Sequence, residues 1–315
     1  MKIEAYAKVN FTLDVYGTRP DGYHALRSVV MPISLADTLE IDLTADGSIT
    51  SDTGYDDDLC VKAARVLRSQ ISNLKSQISD IGVQKSDLGA KVGVSIRVTK
   101  RIPAGGGLGG GSADAAAVLR ALNELWELEL PLPELAEIGA QVGSDVPALV
   151  LGGAVLMEGR GERVQSIDAC AGCDFSSEHR SIGASDHVRT FNLVLVNPGV
   201  PSSTRDVYAM CGAREKDAPS PTDAMIAALK AGELAQIAAA TSNDLQDPAV
   251  KLHPEIADAL TSLRTAGAIG VTMSGSGSSV FGFVPDSATA ERISADLNFK
   301  GYQTWPVLAI PNSSN

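Results

Sequence analysis

From position 3 to position 15 apolar and polar residues alternate without a break. Ile3, Ala5, Ala7, Val9, Phe11, Leu13 and Val15 occupy the odd positions, and Glu4, Tyr6, Lys8, Asn10, Thr12 and Asp14 the even ones. A period of two predicts a long strand with one buried and one polar face. Positions 26–43 read as further strand, with Leu39, Ile41 and Leu43 alternating, and Val92, Val94, Ile96 and Val98 predict another. Between them, 59–67 predicts a helix. The stripe Ile71, Leu74, Ile78, Ile81 reads as an extension of that helix or as an insertion packed on the surface. After position 111 the period changes: Ala115, Leu119, Leu122 and Trp126 share one helical face, and 132–142 predicts a second helix closed by Gly143. Strand is expected again at 149–157, 191–196 and 280–284, with helices at 204–211, 221–229, 231–240 and 254–265. The pattern is that of an α+β protein.

The 315 residues suggest about two domains. A Ser-, Gly- and Ala-rich stretch at 165–190 breaks the pattern and reads as a loop insertion near the boundary, which divides the chain into 1–164 and 165–315. With 44% hydrophobic and 20% charged residues the composition is that of a soluble globular protein. No apolar run reaches membrane-spanning length, and MKIEAYAKVN does not read as a signal peptide, so no membrane partner is expected. The net charge of −12 argues against nucleic acid as a partner and requires lysines to gather locally if the substrate is anionic. Four cysteines make no disulfide scaffold, which points to a reducing cytoplasm. Cys170, Cys173, His179 and His187 raise the question of zinc, but their spacing fits no finger pattern.

The chemistry concentrates at 103–117, PAGGGLGGGSADAAA, where six glycines surround Leu108. Strand precedes this run and helix follows it. Glycine lets a backbone turn through positive φ and press against a ligand, and a helix start offers free N–H groups to an anion. The run lacks the lysine that ends a Walker A loop. Gly105, Gly107 and Gly110 satisfy a dinucleotide-binding spacing, yet Glu127 sits at a helix end where that pattern wants a strand tip. A phosphate cradle of backbone N–H groups and Ser112, with its lysine borrowed from elsewhere, fits best.

Four other places carry candidate chemistry. Lys8 and Asn10 share the polar face of the first strand, either solvated or supplying that cation. In GTRPDGYH at 17–24 a Pro-Asp-Gly turn presents Tyr23 and His24, for hairpin packing or for stacking on a planar base. In GSDVP, Asp145 reads either as a helix N-cap or as a carboxylate able to accept a proton. The small-residue run 274–279 reads as a linker or as a tight turn against a phosphate loop.

Taken in order, AKVN, PAGGGLGGGSADAAA and MSGSGSSVFG resemble the three motifs of the GHMP kinases. GTRPDGYH, KRIPAGGGLGGGSADAA and GSDVP are similar to the branch that acts on a cytidine-diphosphate-linked methylerythritol. The resemblance spans positions 8 to 283. It implies a GHMP N-terminal domain with a ferredoxin-like C-terminal domain. It also implies transfer of the γ-phosphoryl of ATP, with Mg²⁺, to the substrate 2-hydroxyl in non-mevalonate isoprenoid synthesis. On that resemblance Asp145 is the base and Lys8 its partner, and Asn10, Tyr23 and His24 bind the cytidyl substrate. Lys100 lies beside the ATP base. Pro103, Ala104, Gly105, Gly106, Gly107, Leu108, Gly109, Gly110, Gly111, Ser112 and Ala113 form the phosphate loop, with the Ser112 hydroxyl near phosphate or Mg²⁺. Ser274, Gly275, Ser276 and Gly277 form the third motif. Ala113 and Asp114 stand where serine and asparagine are frequent, which puts a further negative charge near ATP. A homoserine or mevalonate kinase, or a non-catalytic relative, is the alternative; the GTRPDGYH turn argues against the first two, and retention of Lys8 and Asp145 against the last.

Overall fold

A computed structural model describes residues 1–20, 22–78, 93–168, 190–213 and 220–311, with backbone alone for 71–78. The chain opens on a long antiparallel hairpin of β1 (Lys2–Thr18) and β2 (His24–Thr44). Next come β3 (Ile49–Ser51), α1 (Leu59–Ile78), β4 (Gly93–Thr99), α2 (Gly110–Leu125), α3 (Leu132–Gly139), α4 (Val146–Leu151), β5 (Val155–Gly159) and β6 (Arg163–Ser166). The second half holds β7 (Phe191–Asn197), α5 (Thr204–Ala209), α6 (Pro221–Ala231), α7 (Leu234–Ala240), β8 (Ser242–Asn243), α8 (Gln246–Leu252) and α9 (Glu255–Thr265). It closes with β9 (Ile269–Met273), β10 (Val280–Val284), α10 (Ser287–Phe299) and β11 (Gln303–Ala309).

β2 is the spine of the first half, pairing antiparallel with β1, β4 and β5. In the second half the strand order is β11-β7-β10-β9, all antiparallel, with α9 before β9 and α10 between β10 and β11. That β-α-β-β-α-β arrangement is ferredoxin-like. β11 also meets β2 through Ala309 and Ile33, so the halves share one sheet. Phe11 of β1 lies 5.0 Å from Phe283, 5.8 Å from Phe281 and 6.4 Å from Phe191, ring centre to ring centre. These four buried rings tie the first strand to the second half's sheet. Each aromatic pair contributes about 0.5–1.5 kcal/mol beyond its burial.

The sequence pattern and the fold part at several places. Along β1 the odd positions from 5 to 15 are buried as expected, but Lys8, Asn10, Thr12 and Asp14 are buried too. The polar face is covered by the second half: Thr12 Oγ1 meets Thr222 Oγ1 at 2.8 Å, and Asp14 accepts from Ser220 Oγ at 2.7 Å. Each buried polar group so paired avoids the cost of desolvation without a partner. Positions 149–151 belong to α4, not to strand, because the turn of helix begun at Val146 runs on until Gly152. The helix expected to end at 142 stops at Gly139, and a turn follows. Positions 165–166 lie in β6 and Ile167 is buried, so the expected loop starts later than the composition suggests. α1 reaches Ile78, which makes the stripe at 71–78 a helix extension. Asp21, Ile81, Cys170, Cys173, His179 and His187 lie outside the described residues.

Candidate active site

The glycine run forms a close-packed arch. Gly105, Gly107 and Gly109 adopt φ of 66°, 75° and 67°, the left-handed region where a Cβ is strained. Gly109 caps α2 with no side-chain hydrogen bond, so the helix start is left open to a ligand. The arch is held by backbone: Lys8 N donates to Leu108 O at 3.0 Å, and Ser279 N to Gly106 O at 3.1 Å. The small-residue turn at 274–279 packs directly on it. Ser274 Oγ donates to Gly107 O at 3.0 Å, and Asn243 Nδ2 donates to both Met273 O and Gly275 O at 2.8 Å. The run is therefore a tight turn against the loop, and the linker reading falls.

Lys8 and Asp145 converge at this arch. Lys8 Nζ lies 3.5 Å from Asp145 Oδ2 and donates to Asn10 Oδ1 at 2.6 Å. The lysine side chain is 4% exposed and the aspartate 31%, so the carboxylate is the more open of the two. A buried ammonium needs such partners to remain charged. Asn10 is fixed in turn by donating from Nδ2 to Ser28 Oγ at 2.8 Å, and its backbone N donates to Ser274 Oγ at 3.3 Å. Asp145 precedes α4 but makes no side-chain cap. The N-cap reading fails, and the carboxylate is available for other work. A Cβ at Gly109 would lie 3.2 Å from Lys8 Cε and 3.5 Å from Asp145 Oδ2, so the bare glycine lets both approach the helix start.

Lys100 is clamped between two buried carboxylates, 2.5 Å from Asp37 Oδ2 and 2.7 Å from Asp114 Oδ2. Burial works against its charge, but the hydrogen bonds of Asp114 and Asp37 outweigh that and raise its pKa. Burial pushes Asp114 up to about 7 against the pull of Lys100. Asp114 therefore answers a lysine in the wall through Oδ2, while it also lines the cleft. Asp37 also accepts from the backbone N of Ile102 at 2.9 Å, bracing the strand that enters the loop.

One cleft of about 1040 Å³ is lined by Lys8, Asn10, Tyr23, His24, Lys100, residues 103–112, Asp145 and residues 275–277. Two expected residues do not line it. Ala113 is 2% exposed and its amide bonds back to Gly109 O, since the helix is already under way. Ser274 is fully buried behind Gly107. At one end Tyr23 stands 56% exposed beneath the Arg160 guanidinium, whose Cζ is 5.5 Å from the ring centre. His24 lies 5.4 Å from the ring of Tyr208, which also lines the cleft. Burial, then the Asp145 charge, raises the Tyr208 hydroxyl pKa, so this ring stays neutral. Tyr208, Arg160 and Asp37 are the site residues that the sequence pattern does not announce. Asp37 alone leaves a trace, as a carboxylate inside the mostly apolar run of β2.

The dinucleotide-binding alternative, already disfavoured by the place of Glu127, has no support in this arrangement. The sheet around β4 is largely antiparallel, and Glu127 lies just past α2 with φ of 51°. Among the described residues no group of three or more His, Cys, Asp or Glu side chains could cage a metal, and no helix is long and apolar enough to cross a membrane.

Comparison with known proteins agrees with this geometry. Family models for the GHMP kinases N-terminal domain and the GHMP kinases C-terminal domain match residues 59–153 and 225–303. The chain is 38% identical over 297 residues to a 4-diphosphocytidyl-2-C-methyl-D-erythritol kinase of Pelotomaculum thermopropionicum, covering 92% of this chain and 91% of that one. It is 35% identical to the protein of the same name in Brevibacillus brevis, covering 93% and 90%. A crystal structure of 4-(cytidine 5'-diphospho)-2C-methyl-D-erythritol kinase superposes with a TM-score of 0.73 at 31% identity, covering 98% of this chain and 99% of that one. With its glycine arch, its Lys8–Asp145 pair and a ferredoxin-like second half, the chain belongs to the 4-diphosphocytidyl-2-C-methyl-D-erythritol kinases, a branch of the GHMP kinase superfamily.

Proposed function

We propose that the protein transfers the γ-phosphoryl of ATP to the 2-hydroxyl of 4-diphosphocytidyl-2-C-methyl-D-erythritol, giving the 2-phosphate and ADP. The observation that carries this is the 3.5 Å approach of Lys8 Nζ to Asp145 Oδ2 at the open start of α2, in the same cleft as Tyr23 and His24. The arch at 103–112 receives the triphosphate on its backbone N–H groups, and the anion lies along the positive end of the helix dipole. Lys100 flanks the nucleotide from the wall. Asp145 accepts the hydroxyl proton as the new P–O bond forms, or holds that hydroxyl in line. Lys8 keeps the carboxylate ionised and offsets charge on the transferring group. Asn10, held between Lys8 and Ser28, orients the acceptor beside them. Tyr23 and His24 receive the cytosine, with Tyr208 extending that aromatic wall.

The residues present fit a magnesium ion carried in by the nucleotide, since Mg²⁺ is usually held by one or two protein oxygens plus substrate phosphates and needs no cage. Ser112, which lines the cleft in the first turn of α2, would hold it through its hydroxyl. Bound there, the ion neutralises phosphate charge. We place residues 1–164 as the domain carrying the phosphate loop and base, and 165–315 as the domain closing the cleft with the third glycine turn. The enzyme works in the cytoplasm, where Cys60 and Cys211 stay as the free thiols they are.

A coupled assay with ATP, Mg²⁺ and the cytidyl substrate tests the reading, with homoserine and mevalonate as controls. Turnover of the cytidyl compound alone is the expected result. Turnover of a control and not of the cytidyl compound would overturn it. Tyr23→Ala is expected to raise the KM for the cytidyl substrate about tenfold, the loss of one stacked base. The KM for ATP should hold, and an effect confined to ATP would place Tyr23 at the other end of the cleft.

A further inference from the structure

The turn 159–162 between β5 and β6 takes no part in the chemistry above, yet it is tightly built. Arg160 N donates to Glu162 Oε2 at 2.6 Å, and Gly161 N donates to Glu158 O at 3.1 Å. Gly159 and Gly161 on either side adopt φ of 77° and 116°. A Cβ on Gly161 would lie 2.9 Å from Ser144 O, so the turn is pressed against the segment that carries Asp145. On its other side Glu162 Oε1 lies 3.5 Å from Arg19 Nη1, at the start of the turn that presents Tyr23.

Arg160 thus bridges the two ends of the acceptor half of the cleft. Its guanidinium lines that cleft and lies over the Tyr23 ring, while its neighbour Gly161 touches Ser144. The Glu162 carboxylate attracts its charge, but among the described residues no ion pair within 4 Å and no side-chain hydrogen bond holds the guanidinium. Arg27 and Arg97, by contrast, are each hydrogen-bonded to two carboxylates. A guanidinium held by stacking and left with its donors free is shaped for phosphate oxygens, which it meets two at a time.

The placement of the groups supplies the ligand. Arg160 lies over the Tyr23 ring, and the next residue, Gly161, packs against Ser144, the neighbour of Asp145. In the acceptor of the proposed reaction the order is base, ribose, diphosphate and reacting hydroxyl. We infer that Arg160 pairs with the diphosphate of the acceptor nucleotide and sets the distance between its base and its reacting hydroxyl; this rests on the cytidyl reading proposed above. A chain of net charge −12 repels a dianionic substrate unless it offers a cation of this kind at the point of contact.

The test uses Arg160→Gln, which keeps length and polarity, and Arg160→Lys, which keeps charge but not the fork. In the full-length enzyme, Arg160→Gln is expected to raise the KM for the cytidyl substrate at least about tenfold, the lower end for a charge-assisted hydrogen bond. The KM for ATP should stay within about twofold, because ground-state and transition-state binding are lost together at the acceptor alone. Arg160→Lys should recover part of the loss, and the rise of the acceptor KM with added KCl should flatten in Arg160→Gln. A wild-type acceptor KM in Arg160→Gln, or an equal rise for ATP, overturns the inference and leaves the substrate reading standing. Failure of the wild-type enzyme to turn over the cytidyl substrate removes both.

Discussion

Asp145→Asn is expected to cut kcat at least about a hundredfold while ATP still binds within about twofold of wild type. The amide keeps the shape of the carboxylate but neither accepts the hydroxyl proton nor carries charge. The fold should survive. Asp145 makes no side-chain cap on α4, so no helix end depends on it. Lys8, now short of one partner, still donates to Asn10 Oδ1 at 2.6 Å. Steady-state rates under the coupled assay, with ATP binding followed by calorimetry, separate the two effects. Unchanged turnover would remove Asp145 from the chemistry. On the proposed reading Lys8 acts through and beside the same carboxylate, so Lys8→Ala combined with Asp145→Asn should be little slower than the worse single variant. Multiplying losses would mean that the two side chains serve different steps.

Gly107→Ala is expected to disable the nucleotide site by a purely steric route. At φ of 75° a side chain is strained by about 1–2 kcal/mol, and forcing a methyl into packed backbone adds about 1–3 kcal/mol, about 2–5 kcal/mol in all. The obstacle is the Ser274 carbonyl, with Gly277 N and O each 3.0 Å from the added Cβ. Backbone on both sides leaves no flexible side chain to give way. Either the arch or the turn at 274–279 must shift, and a shifted arch misplaces the amides proposed to receive phosphate. ATP affinity should fall at least about tenfold, with a lower Tm. Gly17→Ala is the control, for nothing lies within 4 Å of its added Cβ and Gly17 is exposed. Wild-type ATP affinity in Gly107→Ala would mean that the arch does not hold the nucleotide.

What could be foreseen from the chain follows from range. The hairpin of β1 and β2, and the strand, glycine loop and helix at its centre, are written in local period and turn chemistry. The arch at 105–109 was legible because only glycine tolerates that backbone. Burial of Lys8, Asn10, Thr12 and Asp14 was not legible, because a strand taken alone exposes its polar face. What covers that face is Thr222, Ser220 and Ser274, more than two hundred residues downstream. The clamp on Lys100 escaped for the same reason, since Asp37 sits 63 positions before it. Tyr208 escaped because one aromatic on a short helix such as α5 carries no pattern. α8, α10 and β11 leave no clear period either, being short or weakly amphipathic elements whose packing against the sheet is their main support.

The bond from Asn10 N to Ser274 Oγ joins residues 264 positions apart. During synthesis on the ribosome, the first strand emerges long before the turn that completes its surroundings. The Lys8 ammonium and its partner Asn10 must wait through most of translation for this part of their shelter.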